Sequence, residues 1–153
     1  MKVNVKRIPL DGEQLRGTEP PSILEVDNDD IHFTREVEYD FHAQIQNNAL
    51  LVVGKLRTPV TLRCSRCLKQ FEQTVKVGQF VFHQELTGAD FVDLTENIRE
   101  DIILELPQRA LCRPDCRGLC VKCGQDLNEK ACRCAPAEGD MRWHALDQIK
   151  LKQ

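Results

Sequence analysis

The sequence has no long hydrophobic run. Residues 1–12 scatter Lys and Arg without the apolar core of a secretory signal, and no stretch approaches the roughly 20 apolar residues of a membrane span. A reducing, cytoplasmic setting is therefore expected, in which disulfides are rare. A large charge excess is lacking too: a net −3 gives no global electrostatic pull toward nucleic acid. The phosphate-cradling G-x-x-x-x-G-K-[ST] and G-x-G-x-x-G patterns are missing, as are G-x-S-x-G, H-E-x-x-H and the zinc-deaminase H-x-E…P-C-x-x-C signature. The four histidines, His32, His42, His83 and His144, stand apart from every cysteine pair. Together these absences argue against an enzyme, a small-molecule substrate and a membrane partner.

What is abundant is cysteine, and its spacing is informative. The eight residues form four close pairs, Cys64/Cys67, Cys112/Cys116, Cys120/Cys123 and Cys132/Cys134. Tight turns supply zinc ligands in such pairs, and four thiolates suit Zn²⁺ because it is tetrahedral, redox-inert and borderline soft. Eight thiolates make two closed, all-sulfur sites of the structural kind. Cys120-Val121-Lys122-Cys123-Gly124 has the shape of a zinc knuckle, with glycine where the backbone needs freedom. Its nearest partners are Cys132 and Cys134, which leaves Cys64/Cys67 to meet Cys112/Cys116. The competing readings are a single zinc with four spare cysteines, and buried thiols with no metal. A thioredoxin-like role is disfavoured, because neither C-x-x-C follows a strand and opens a helix.

Hydrophobic periodicity gives an α+β expectation: an antiparallel β-meander with one packed helix, followed by a cysteine-rich zinc-binding segment. Two regions are expected, 1–107 for the sheet and helix and 108–153 for the cysteine-rich part and a short terminal helix. The first thirty residues, with Pro9, Gly12, Gly17, Pro20 and Pro21, read as a short strand and an irregular connection. Val37, Tyr39, Phe41, Ala43 and Ile45 then alternate with polar residues, Asn47-Asn48 supplies a turn, and Leu50, Val52, Leu56, Val60 and Leu62 continue the pattern into Cys64. After the turn at Cys64–Cys67, Phe71, Val75 and Val77 alternate before the phase shifts to Phe80 and Phe82 around Gly78, which predicts a bulge. Asp93 and Glu96 suggest a capping box for a helix whose stripe is Leu94, Ile98, Ile102, Ile103 and Leu106, ended by Pro107. A last short helix would present Trp143, Leu146 and Ile149.

Charge is unevenly spread. Residues 55–76 carry +5, residues 19–40 carry −7, and residues 109–133 carry +3 before thiolate charge is counted. The basic run lies on the predicted hairpin, so Lys55, Arg57, Arg63, Arg66 and Lys69 are the candidates for phosphate contact. No aromatics are interleaved there for base stacking, and a solvated sheet face is the plain alternative. The acidic run would suit a basic protein partner.

The order Cys64-Ser65-Arg66-Cys67-Leu68, then Val92 to Glu100 with Leu104-Glu105-Leu106-Pro107, then Gly118-Leu119-Cys120-Val121-Lys122-Cys123-Gly124-Gln125-Asp126-Leu127-Asn128 with Cys132-Arg133-Cys134, resembles the YceD family. The resemblance implies a bacterial factor in the accumulation of large-subunit ribosomal RNA and in ribosome biogenesis. Its expected partners are that RNA or its precursor particle, and a ribosomal or assembly protein in the adaptor reading.

Overall fold

A computed structural model describes residues 1–26 and 28–135. The chain forms two compact units that divide between Cys116 and Arg117. In the first, β1 (Lys2–Asn4), β2 (Glu13–Glu19), β3 (Ile31–His32), β4 (Val37–Gln46), β5 (Ala49–Arg63), β6 (Gln70–Glu85) and β7 (Phe91–Asp93) precede α1 (Thr95–Leu104). All strand pairs are antiparallel: β2, β4, β5 and β6 lie side by side, β3 extends the β4 flank of β5, and β1 pairs with β7.

The predicted alternation is what builds this sheet. Leu50, Val52, Leu56, Val60 and Leu62 of β5 are all buried, as are Val37, Phe41 and Ala43 of β4 and Val75, Val77, Phe80 and Phe82 of β6. Asn47 and Asn48 both take positive φ, 49° and 62°, the geometry that lets a two-residue turn match the twist of its strands. The register slips between Gly54 and Leu56, opposite Gly78, where the apolar phase of β6 changes. Gly54 faces Phe41 on one side and Phe80 on the other, and the two rings stack across it with centroids 4.6 Å apart. A Cβ at Gly54 would lie 2.2 Å from the Asp40 carbonyl and 2.7 Å from the Phe41 ring, so only glycine fits.

Three expectations need correction. The supposedly irregular stretch contains β2, a seven-residue strand paired along β4; its exposed, polar side chains hide the apolar alternation by which strands are read. In α1, Leu94, Ile98 and Ile102 are buried, but Ile103 is 40% exposed and leaves the stripe. The capping box is not formed either, since the N-cap is Leu94 and makes no side-chain cap bond; Asp93, one residue earlier, instead accepts from Thr95 N at 3.0 Å and from Thr95 Oγ1 at 2.6 Å. The hydroxyl bond, then the amide bond, hold its carboxyl below the usual range against the opposing effect of burial. The expected helix with Trp143, Leu146 and Ile149 lies outside the described residues, as does His144.

Candidate metal centres and basic face

The β5–β6 hairpin ends in Cys64-Ser65-Arg66-Cys67, and its turn is closed by two backbone bonds, Leu68 N to Cys64 O at 2.9 Å and Cys64 N to Lys69 O at 2.9 Å. The loop after α1 comes up against it. Ser65 donates twice to the Ala110 carbonyl, from N at 2.8 Å and from Oγ at 2.9 Å, and Arg66 Nη1 donates to the Cys116 carbonyl at 2.7 Å. These bonds stitch the hairpin tip to the 110–116 loop and bring Cys64, Cys67, Cys112 and Cys116 together, with all four sulfurs within 4.8 Å of one another. Judged by charge alone, Arg66 is a phosphate contact and Ser65 has no role; the polar character of a tight turn's inner positions is the signal that points to both as braces.

The second unit repeats the turn. Gly124 N bonds Cys120 O at 2.8 Å and Cys120 N bonds Gln125 O at 2.8 Å, the same two-bond pattern as at the hairpin tip. Asp126 and Asn128 organise the loop beyond the turn. Asp126 Oδ1 accepts from Asn128 N at 2.8 Å, and Asn128 Oδ1 accepts from Arg117 N at 2.8 Å. Leu127 N returns to the Gly118 carbonyl at 2.9 Å. Cys120, Cys123, Cys132 and Cys134 form the other group of four, again within 4.8 Å.

The spacing fits a metal. Four sulfurs about 2.3 Å from a tetrahedral zinc stand about 3.8 Å apart. Cys64 and Cys116 are 3.8 Å apart, and Cys67 and Cys112 3.7 Å. A disulfide would hold its sulfurs near 2.05 Å. Both clusters could therefore hold a metal ion. Their protonation is polarised in the same way. Burial pushes the Cys64 thiol up, but backbone N–H groups of Cys112, Cys67 and Arg66 outweigh it and bring it down to about 6. Burial, with the neighbouring sulfurs, pushes Cys112 up to about 12. In the second cluster the N–H groups of Cys123 and Lys122 bring Cys120 down to about 6, while the Cys123 sulfur and burial raise Cys134 to about 12. In each cluster backbone N–H groups thus lower one thiol, while burial and neighbouring sulfurs raise another.

The basic candidates separate into two groups. Arg63 pairs with Asp30 at 3.3 Å, Arg66 is tied to Cys116, and Lys69 lends its carbonyl to Cys64. Lys55 and Arg57 project from the outer face of β5, opposite Asp40 and Glu38 of β4. Much of the acidic run is also engaged: Glu25 with Arg99 at 2.8 Å, Asp30 with Arg63, and Asp40 with Arg16 at 3.1 Å.

Known proteins with similar sequences add the biological context for this geometry. Residues 80–150 match the family described as large ribosomal RNA subunit accumulation protein YceD. A chloroplastic YCED homolog 1 of Arabidopsis thaliana, named as a large ribosomal RNA subunit accumulation protein, is 34% identical over 39% of this chain and 18% of its own length. The Zea mays protein of the same name is 44% identical over 29% of this chain and 16% of its own. Residues 80–150 thus carry the likeness to the YceD family. An uncharacterized protein of Mycobacterium tuberculosis is 29% identical over 60% of this chain, a match that covers about half (51%) of the mycobacterial protein. No solved structure matches the chain significantly. The YceD match spans α1 and six of the eight cysteines, those from Cys112 to Cys134. No described helix is long and apolar enough to cross a membrane.

Proposed function

We propose that this chain is a non-enzymatic, zinc-binding factor in large-subunit ribosomal RNA accumulation, acting in the cytoplasm by contacting the RNA or its precursor particle through the basic face of the β5–β6 hairpin. The family match over residues 80–150 carries the biological half of this reading. The chemical half is supported by two four-sulfur groups at zinc-like spacing. Cys64, Cys67, Cys112 and Cys116 would hold one ion, and Cys120, Cys123, Cys132 and Cys134 the other. Zinc supplies a redox-inert cross-link at such sites and no open coordination position for catalysis. In the first site it would fix the hairpin tip to the 110–116 loop, so the basic arms below it present one constant shape.

The adaptor reading, with the acidic run as a docking face for a basic protein, is weakened by the pairing of Glu25, Asp30 and Asp40 within the fold. Ultraviolet crosslinking of the tagged protein in cells, with the attached RNA sequenced, tests the proposal. A sharp peak on the large-subunit precursor is expected. No enrichment over background, together with nuclease-resistant capture of a basic protein, would overturn direct RNA contact in favour of the adaptor.

A further inference from the structure

The outer face of the sheet carries an arrangement that the fold itself does not require. Arg57 of β5 stands directly opposite Lys76 of β6, on the solvent side of both strands. Like charges facing each other across a strand pair are destabilising. Arg57 and Lys76 make no ion pair with any described residue. Lys55 lies two residues before Arg57, at the register slip, and the three cations wall an open trough of about 700 Å³. The other charged residues of the walls are two acids and one further cation, Glu38, Asp40 and Arg16, beside Tyr39, Leu56 and Val77. Asp40 is occupied, bonded by Arg16 Nε at 3.1 Å and by Gln14 Nε2. Glu38 is therefore the one acid facing Lys55, Arg57 and Lys76 without a partner of its own among the described residues. Phe41, Phe80 and Phe82 belong to the hydrophobic core and Phe71 packs against it; Tyr39, which also lines the trough, packs against the core with its ring stacked on Phe41.

We infer that this trough is a binding site for the phosphodiester backbone of RNA, with Arg57, Lys76 and Lys55 as its phosphate contacts, and that the hairpin tip is not. The inference rests on the RNA-contact reading above and relocates its surface. It brings in Lys76, and it assigns Arg63 and Arg66 to holding the tip together. Anionic oxygens between Arg57 and Lys76 convert their repulsion into shared attraction. With the Tyr39 ring already stacked on Phe41 rather than free to stack a base, recognition is of backbone charge, independent of sequence and steeply dependent on salt. Lys76 also lies on an edge strand, where a lysine by itself deters strand pairing. The substitution Lys76→Glu separates the two roles, because it keeps a charge on the edge while reversing its sign.

The test uses the full chain with its metal, a labelled single-stranded RNA oligonucleotide of mixed sequence, and titrations at several salt concentrations. Removing a single phosphate-binding cation should lower the log–log salt slope by about 0.7. Arg57→Gln with Lys76→Gln should then bind about tenfold more weakly, with the slope reduced by about 1.4. Arg63→Gln should leave the slope unchanged. Lys76→Glu should weaken RNA binding yet raise the thermal unfolding midpoint of the free protein, because it creates an Arg57–Glu pair. Retained zinc content and circular dichroism establish folding of each variant. Loss of binding in Arg63→Gln but not in the double variant would overturn the trough while leaving RNA contact intact. A wild-type chain that fails to bind any RNA would remove both readings.

Discussion

The two cysteine turns have the same backbone hydrogen bonds but different support. At the hairpin tip the turn is the end of two long strands, and three of its cluster's cysteines, Cys64, Cys67 and Cys116, are at most 4% exposed. In the second unit no cysteine is fully buried, Cys123 is exposed, and no apolar side chain between residues 117 and 135 is buried. One site closes a structure that a hydrophobic core already specifies. The other must supply the organisation of its own surroundings. A metal bound at each cluster would therefore have different tasks in the two places: a clamp in the first unit, a core substitute in the second.

Metal removal should produce the largest contrast. Binding of structural zinc is worth about 10–16 kcal/mol in small cysteine-rich units, which is the folding free energy of such a unit. After chelation, amides of residues 117–135 are expected to exchange freely while those of β4, β5 and β6 stay protected, as read by hydrogen–deuterium exchange. Equal loss of protection in both regions would erase the distinction. Release kinetics sharpen it. A chromogenic chelator should extract two ions per chain in two phases, the slower by about 10–100-fold. Cys123→Ser should abolish the fast phase and Cys67→Ser the slow one; the reverse assignment would contradict the role of burial.

A subtler difference lies just after each second cysteine. Leu68 has φ 60° and Gly124 has φ 73°, so the same left-handed position is filled by an ill-suited residue in one turn and a well-suited one in the other. Gly124→Ala meets nothing within 4 Å and should cost about 1–2 kcal/mol from backbone strain alone. Leu68→Gly should stabilise the first unit by about 0.5–1 kcal/mol in denaturant unfolding, because relief of strain exceeds the added freedom of the unfolded chain. A destabilising Leu68→Gly would mean that the half-exposed leucine packs more tightly than its burial suggests. An effect of similar size is expected far from either cluster. Asp93→Ala should lower the stability of the first unit by about 1 kcal/mol through the start of α1, without changing metal release. Since its folded pKa is depressed, the Asp93 contribution is present above the unfolded carboxylate pKa and disappears as pH falls through the folded value. The variant and wild type should converge in acid.

The central strands are legible in the sequence because burial on one face forces period two; Asn47-Asn48 mark the turn by their backbone needs, and the change of apolar phase around Gly78 marks the bulge. The grouping of cysteines follows from proximity in sequence for the second cluster and from elimination for the first. The features that sequence does not reveal have a common physical cause. β2 gains its structure from backbone pairing along an edge, which leaves no hydrophobic trace in Glu13–Glu19. The engagement of Arg63 and Arg66 depends on loops that are distant in sequence, so a count of charges treats them as equivalent to Arg57. Register, not composition, sets Arg57 against Lys76.

The stacking of Phe41 and Phe80 across Gly54 bears on mutational tolerance. In a library of all single substitutions, position 54 should be depleted of everything but glycine, because even alanine would drive a methyl group into the Asp40 carbonyl and part β4 from β5. Gly78, in the same sheet, has open space where its side chain would be, and alanine should pass through the same selection. Two glycines that look alike in the sequence would then stand at opposite ends of the tolerance scale, and the intolerant one would mark the point where three strands are held closest.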